Sequence, residues 1–62
     1  MPHVVVQMLE GRSKEQKKLL IEGITKAVCD SCKVGADAVS VAIFETPRDN
    51  WGKAGVPMSE RK

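Results

Sequence analysis

Three places in the chain combine reactive groups with a spacing that could support chemistry. The first is Met1-Pro2, followed at once by the apolar run His3-Val4-Val5-Val6-Gln7-Met8-Leu9. Removal of Met1 leaves Pro2 as a secondary amine at the chain terminus. The ring fixes its backbone direction and supplies no N–H for strand pairing, so a proline amine leading a packed strand is able to serve as a general base. The second place is Cys29-Asp30-Ser31-Cys32, a C-x-x-C pair. Redox pairs of this spacing exploit a helix N-terminus, whereas this pair falls near the end of a predicted helix and reads as ordinary side chains. A structural zinc site takes four ligands, and His3 is the only histidine, so no metal site is expected. The third place is His3 itself, which either tunes its neighbour Pro2 or simply packs on the strand. Taken alone, Arg12 reads as a solvated turn residue, Trp51 as a packing residue and Ser40 as a structural sheet residue.

Positioning these groups requires a frame, and the hydrophobic periodicity supplies one. Residues 3–9 alternate as a strand rich in β-branched side chains, with Val4, Val6 and Met8 on one face and His3, Val5, Gln7 and Leu9 on the other. Both faces carry apolar groups, as in a strand covered on two sides. Glu10-Gly11-Arg12 turns the chain, and Ser13 with Gln16 forms a capping-box pattern. A helix is expected from Lys14 to Cys32, with Gln16, Leu20, Ile24, Ala27, Val28 and Ser31 as its core stripe. Lys14, Lys18, Glu22 and Lys26 occupy the opposite face, Glu22 and Lys26 in the favourable pair orientation. Gly23 costs about 1 kcal/mol against Ala and suggests a close neighbouring backbone. Gly35 is the expected left-handed cap residue. Val39 to Glu45 form a second strand, with Val39, Val41 and Ile43 opposed to Ser40, Ala42 and Phe44. Strand, helix, strand makes a βαβ unit with parallel strands. Thr46 to Asn50 turn, Trp51 to Met58 form a short hairpin or arm, and Ser59 to Lys62 a polar tail.

The 62 residues make one small domain, spanning 1–62 with Met1 removed. A chain of this length buries only about 60% of its unfolded surface, and two parallel strands with one helix leave open edges and a bare face. With 42% hydrophobic residues, self-association is the expected remedy. A net charge of +2, with acids interleaved among the bases and Phe44 and Trp51 the only aromatics, argues against nucleic acid as a partner. No signal peptide is readable and no run approaches the roughly 18 apolar residues of a membrane span, so a cytoplasmic protein is expected, with no membrane partner.

The residues Met1-Pro2, Leu9-Glu10-Gly11-Arg12-Ser13 and Glu15-Gln16-Lys17 resemble the 4-oxalocrotonate tautomerase family. Glu45-Thr46-Pro47, Trp51-Gly52 and Gly55 extend the resemblance through the C-terminal segment. It implies an α/β (α+β) βαβ tautomerase fold with a short C-terminal hairpin, assembled as a hexamer built from a trimer of dimers. It also implies a cofactor-independent isomerase that moves a proton in the enol or dienol of a 2-keto acid, as in aromatic catabolism. The family's proline base corresponds to Pro2, its carboxylate-binding arginine to Arg12 and its apolar aromatic to Trp51. An apolar pocket under Trp51 and the charge of Arg12 would both disfavour the ammonium form of Pro2, leaving a free base at neutral pH. Arg12 would hold a carboxylate through two parallel donors, a geometry that lysine does not copy. The family's second arginine, supplied by a neighbouring subunit, is replaced here by Ser40. Ser40 could itself donate to substrate, or Arg48 in the following turn could fill the gap. Rival readings are another reaction of the same amine (dehalogenation or decarboxylation), a non-catalytic oligomeric ligand-binding protein, and a thiol redox protein using Cys29 and Cys32.

Overall fold

A computed structural model describes residues 1–61. β1 (His3–Leu9) leads through a tight turn into α1 (Lys14–Cys32), and the chain returns as β2 (Ser40–Thr46). The turn works because Gly11 takes φ +125°, a value open to a residue without Cβ. Ser13 then caps α1 as expected: its hydroxyl accepts from the Gln16 backbone N–H at 3.1 Å, and the Gln16 side chain accepts from the Ser13 N–H at 2.9 Å. β1 and β2 pair in parallel from His3 opposite Ser40 to Leu9 opposite Thr46. A second, two-stranded antiparallel sheet follows, β3 (Gly52–Lys53) and β4 (Val56–Pro57). Its two-residue turn, Ala54-Gly55, has φ +56° and +81°, the positive pair that a type I′ hairpin turn requires. Short 3-10 turns at Ala36–Ala38, Arg48–Asn50 and Met58–Glu60 join and end these elements.

Several details differ from the sequence reading. β2 starts at Ser40 rather than Val39, because the Val39 N–H is spent on Ala36 in the preceding 3-10 turn. The left-handed residue that ends α1 is Lys33 (φ 57°), not Gly35, which keeps φ −81° and opens the next turn. The stripe turned toward the sheet is Lys17, Leu20, Ile24 and Val28; Gln16, Ala27 and Ser31 are exposed. Gln16 is drawn aside by its capping role. Lys26 pairs with Asp30 at 2.8 Å rather than with Glu22. A Cβ built on Gly23 meets nothing within 4 Å, so no backbone within the protomer accounts for that glycine. The expected polar tail turns at Met58–Glu60, and Lys62 lies outside the described residues.

The two faces of the main sheet are unequal. Val4, Val6 and Met8 of β1 and Val41 and Ile43 of β2 are half-buried on the side that α1 covers. On the other side Val5 stays 51% and Phe44 57% exposed. Among the described residues none is fully buried. The accessible surface is 4862 Å², against about 4,000 Å² for a compact monomer of this mass. The radius of gyration is 14.7 Å, where a compact chain of this length gives about 11 Å. The protomer is a flat piece, 43 × 23 × 14 Å, without an interior of its own.

Candidate active site

Pro2 stands immediately before the first ladder residue and is half-buried. Its carbonyl accepts from the Ser40 N–H at 3.1 Å, which ties the residue to the start of β2. Met1 beyond it is fully exposed. The ring of Pro2 is therefore anchored on its carbonyl side, while its nitrogen carries only an unsupported methionine. Ser40 is next to Pro2 through this bond, and its hydroxyl lies 2.6 Å from His3 Nδ1 across the ladder. Sequence reading did not find that contact: the partners are 37 residues apart, and only the register of the two strands joins them.

The cations and the tryptophan occupy the opposite end of the sheet. Seven residues of β1 separate Pro2 from the Arg12 turn, roughly 20 Å at about 3.3 Å per residue. Arg12 edges a cavity of about 250 Å³ with Met8, Gln16, Lys17 and Leu20. Lys17 is held there by Glu45 of β2 at 2.7 Å, both side chains about one-third exposed. The acid at the end of β2 is thus committed to Lys17. Arg12 makes no ion pair or hydrogen bond among the described residues, so its guanidinium fork remains available to an anion. Its carbon-rich walls, Met8 and Leu20, suit an apolar body bearing a terminal carboxylate.

Trp51 is half-buried and borders a different hollow with Gln7, Thr46, Asn50 and Gly52. Its carbonyl accepts from Met58 N–H at 2.8 Å, fixing it between the Arg48 turn and the hairpin. Arg48 is exposed at the far end of β2 from Ser40. Within one protomer the fold brings Pro2, Ser40 and His3 together; Arg12, Arg48 and Trp51 lie a strand length away. The pocket expected around Pro2 from Trp51 and Arg12 is not formed by a single chain.

Cys29 and Cys32 are free thiols in the last turn of α1, half-buried and exposed respectively. No group of three or more His, Cys, Asp or Glu converges as a metal site among the described residues. No helix of those residues is long and apolar enough to cross a membrane.

Comparison with known proteins bears on these residues as a set. The family model described as "Tautomerase enzyme" matches residues 2–61, beginning at Pro2. A 2-hydroxymuconate tautomerase of Comamonas testosteroni is 45% identical over 60 residues, covering 97% of this chain and 95% of that one. The 2-hydroxymuconate tautomerase of Pseudomonas putida is 40% identical over 60 residues with the same coverage, 97% and 95%. Among solved structures, YwhB, a homologue of 4-oxalocrotonate tautomerase, superposes with a TM-score of 0.93 at 38% identity, over 98% of this chain and 100% of that one. A heterohexameric 4-oxalocrotonate tautomerase from Chloroflexus aurantiacus gives 0.94 at 34% identity, over 100% of both. The βαβ unit, the capped helix and the hairpin are thus those of a known enzyme fold, and the chain belongs to the tautomerase family as a keto–enol isomerase of the 4-oxalocrotonate tautomerase kind.

Proposed function

We propose that Pro2, freed of Met1, is the general base of a tautomerase acting on 2-hydroxydienoates and other enol forms of 2-keto acids. The observation that carries this reading is the anchoring of Pro2: its carbonyl is in the ladder with Ser40, while the residue on its nitrogen is wholly solvent-exposed. With Met1 attached, that nitrogen is an amide whose lone pair is delocalised and does not take up a proton. Trimming converts it into an amine on a fixed mount. The amine takes the proton of the enol hydroxyl, leaving a dienolate, and delivers it to a carbon as the keto form appears. The proton count and oxidation level of the pair of isomers are equal, so the step needs no redox partner.

Arg12 is the proposed carboxylate holder and Trp51 the proposed apolar wall, with Ser40 and Arg48 as subsidiary contacts. Because Arg12 and Trp51 lie a strand length from Pro2 in one protomer, the reading requires a neighbouring subunit to bring its far end to the Pro2 end of the first. The exposed face bearing Val5 and Phe44, and the excess surface of the protomer, support such assembly. A homohexamer is the proposed form, by analogy with the heterohexameric neighbour. The substrate is a small carboxylate.

Intact mass is expected to lack Met1. Pro2→Ala is expected to lower ketonisation of phenylenolpyruvate by at least about 100-fold, the scale of a lost general base, while sedimentation shows an unchanged oligomer. Ketonisation at the wild-type rate in assembled Pro2→Ala protein would refute the role of Pro2.

A further inference from the structure

We propose that His3 donates a hydrogen bond from Nε2 to the enol or enolate oxygen of the substrate, and that Ser40 is the positioning residue that holds the imidazole for this task. The inference rests on the reading of Pro2 as the base. A base that moves a proton to or from the carbon beside a carbonyl works on an atom two bonds from that oxygen. Charge developing on the oxygen must meet a donor about 2.7–3.1 Å away. At the end of the sheet where Pro2 sits, the fold itself attaches only two side-chain donors to the Pro2 backbone, His3 and Ser40. The guanidinium groups of Arg12 and Arg48 reach this end only from a neighbouring subunit, where Arg12 is proposed to be occupied by the carboxylate.

The geometry divides the labour between the two. Ser40 N–H donates to the Pro2 carbonyl at 3.1 Å, and Ser40 Oγ lies 2.6 Å from His3 Nδ1. The register that sets His3 opposite Ser40 makes this a cross-strand pair at the mouth of the ladder. Both residues are exposed, and neither side chain has another hydrogen-bond partner among the described residues. In the proposed arrangement the Ser40 hydroxyl donates to Nδ1, and the neutral ring carries its proton on Nε2. That nitrogen is then a donor without a partner among the described residues, on a ring held by the serine contact. The hydrogen bond made by one ring nitrogen goes with the tautomer and the aim of the other. The chemistry assigned is charge stabilisation by a neutral donor: no bond is made to His3, and the proton in transit stays with Pro2.

Three variants and one spectrum test the assignment. In assembled protein, His3→Leu is expected to lower kcat for phenylenolpyruvate about 100-fold, the cost of one lost oxyanion donor, with KM changed by less than about threefold. His3→Gln keeps a donor and is expected to recover most of that loss. Ser40→Ala is expected to lower kcat about tenfold, a fraction of the donor's own effect. His3 is the only histidine, so its two ring ¹⁵N resonances are unambiguous. At a pH well above the ordinary imidazole range they are expected to report the Nε2–H form in wild type and a mixture of tautomers in Ser40→Ala. A wild-type kcat in His3→Leu, a loss confined to KM, or a proton resident on Nδ1 in wild type would each overturn the proposal. If His3→Leu does not assemble, Ser40→Ala and His3→Gln decide: unaltered kcat and tautomer in Ser40→Ala overturn it equally. Pro2→Ala run alongside separates the two readings. An inactive Pro2→Ala beside a fully active His3→Leu removes only the histidine, whereas an active Pro2→Ala removes the base itself.

Discussion

The two ends of the β1–β2 ladder are made of different chemistry. One end has a proline, a histidine and a serine, joined by a backbone bond of 3.1 Å and a side-chain contact of 2.6 Å. The other has Arg12 unpaired beside a small cavity, Arg48 exposed, and Trp51 set between a turn and a hairpin. In the function proposed above, the first end is a proton-moving amine without an anchor for the carboxylate, and the second an anchor without a base. Parallel pairing in one βαβ unit keeps these halves apart, since the chain enters both strands at the same end. On the proposed reading, the halves meet only between subunits, and assembly becomes a condition of turnover rather than an aid to stability.

The comparison is broken most completely by separating subunits. Phe44→Asp sets a charge among Val5 and Ala42 on the exposed sheet face, and a buried unpaired carboxylate costs several kcal/mol. Sedimentation is expected to show dissociation, and activity is expected to fall by more than about 100-fold, since the general base then acts without its partner end. Retained activity in a dissociated protomer would contradict the division of the site between chains.

Removing one end's cation has the next largest effect. Arg12→Ala is expected to lower kcat/KM for a 2-hydroxydienoate by about 10- to 100-fold, as the loss of a charged hydrogen-bond pair worth about 1.5–3 kcal/mol. Arg12→Lys is expected to recover only part of it, because one point charge replaces two parallel donors. Steady-state kinetics with the assembled variants measure both.

The smallest effect sharpens the picture of the Arg12 end. Ser13 caps α1 and fixes the turn in which Arg12 sits. Ser13→Ala is expected to cost about 1 kcal/mol of stability, read by urea unfolding, and to raise KM only slightly, leaving kcat unaltered. A large fall in kcat would place Ser13 closer to the chemistry than its capping bonds indicate.

What could be read from sequence divides along the same line, between local and non-local structure. β1 and the capping box are local patterns, and the structure has both within the expected bounds. α1 ends at Cys32 as expected, but its left-handed cap was not legible: nothing in Lys33 announces a φ of 57°, and Gly35, the better left-handed residue by composition, is not used. The stripe on α1 was blurred because Gln16 fits both the periodicity and the cap, and it serves the cap. Register was beyond local pattern altogether. It starts β2 at Ser40 instead of Val39 and brings His3 to that serine across 37 positions. The candidate site shows the same limit. Pro2 and Arg12 stand out as residue types, yet only the strand between them reveals that one protomer does not bring them together.

Mixing two impaired variants tests that division most directly. Pro2→Ala subunits keep Arg12, and Arg12→Ala subunits keep Pro2. Unfolded together in equal amounts and reassembled, they are expected to regain about one quarter of wild-type activity, because random association pairs an intact proline with a neighbour's intact arginine in that share of sites. Activity no greater than the average of the two parents, in an assembly shown by mass spectrometry to contain both, would contradict a site shared between chains.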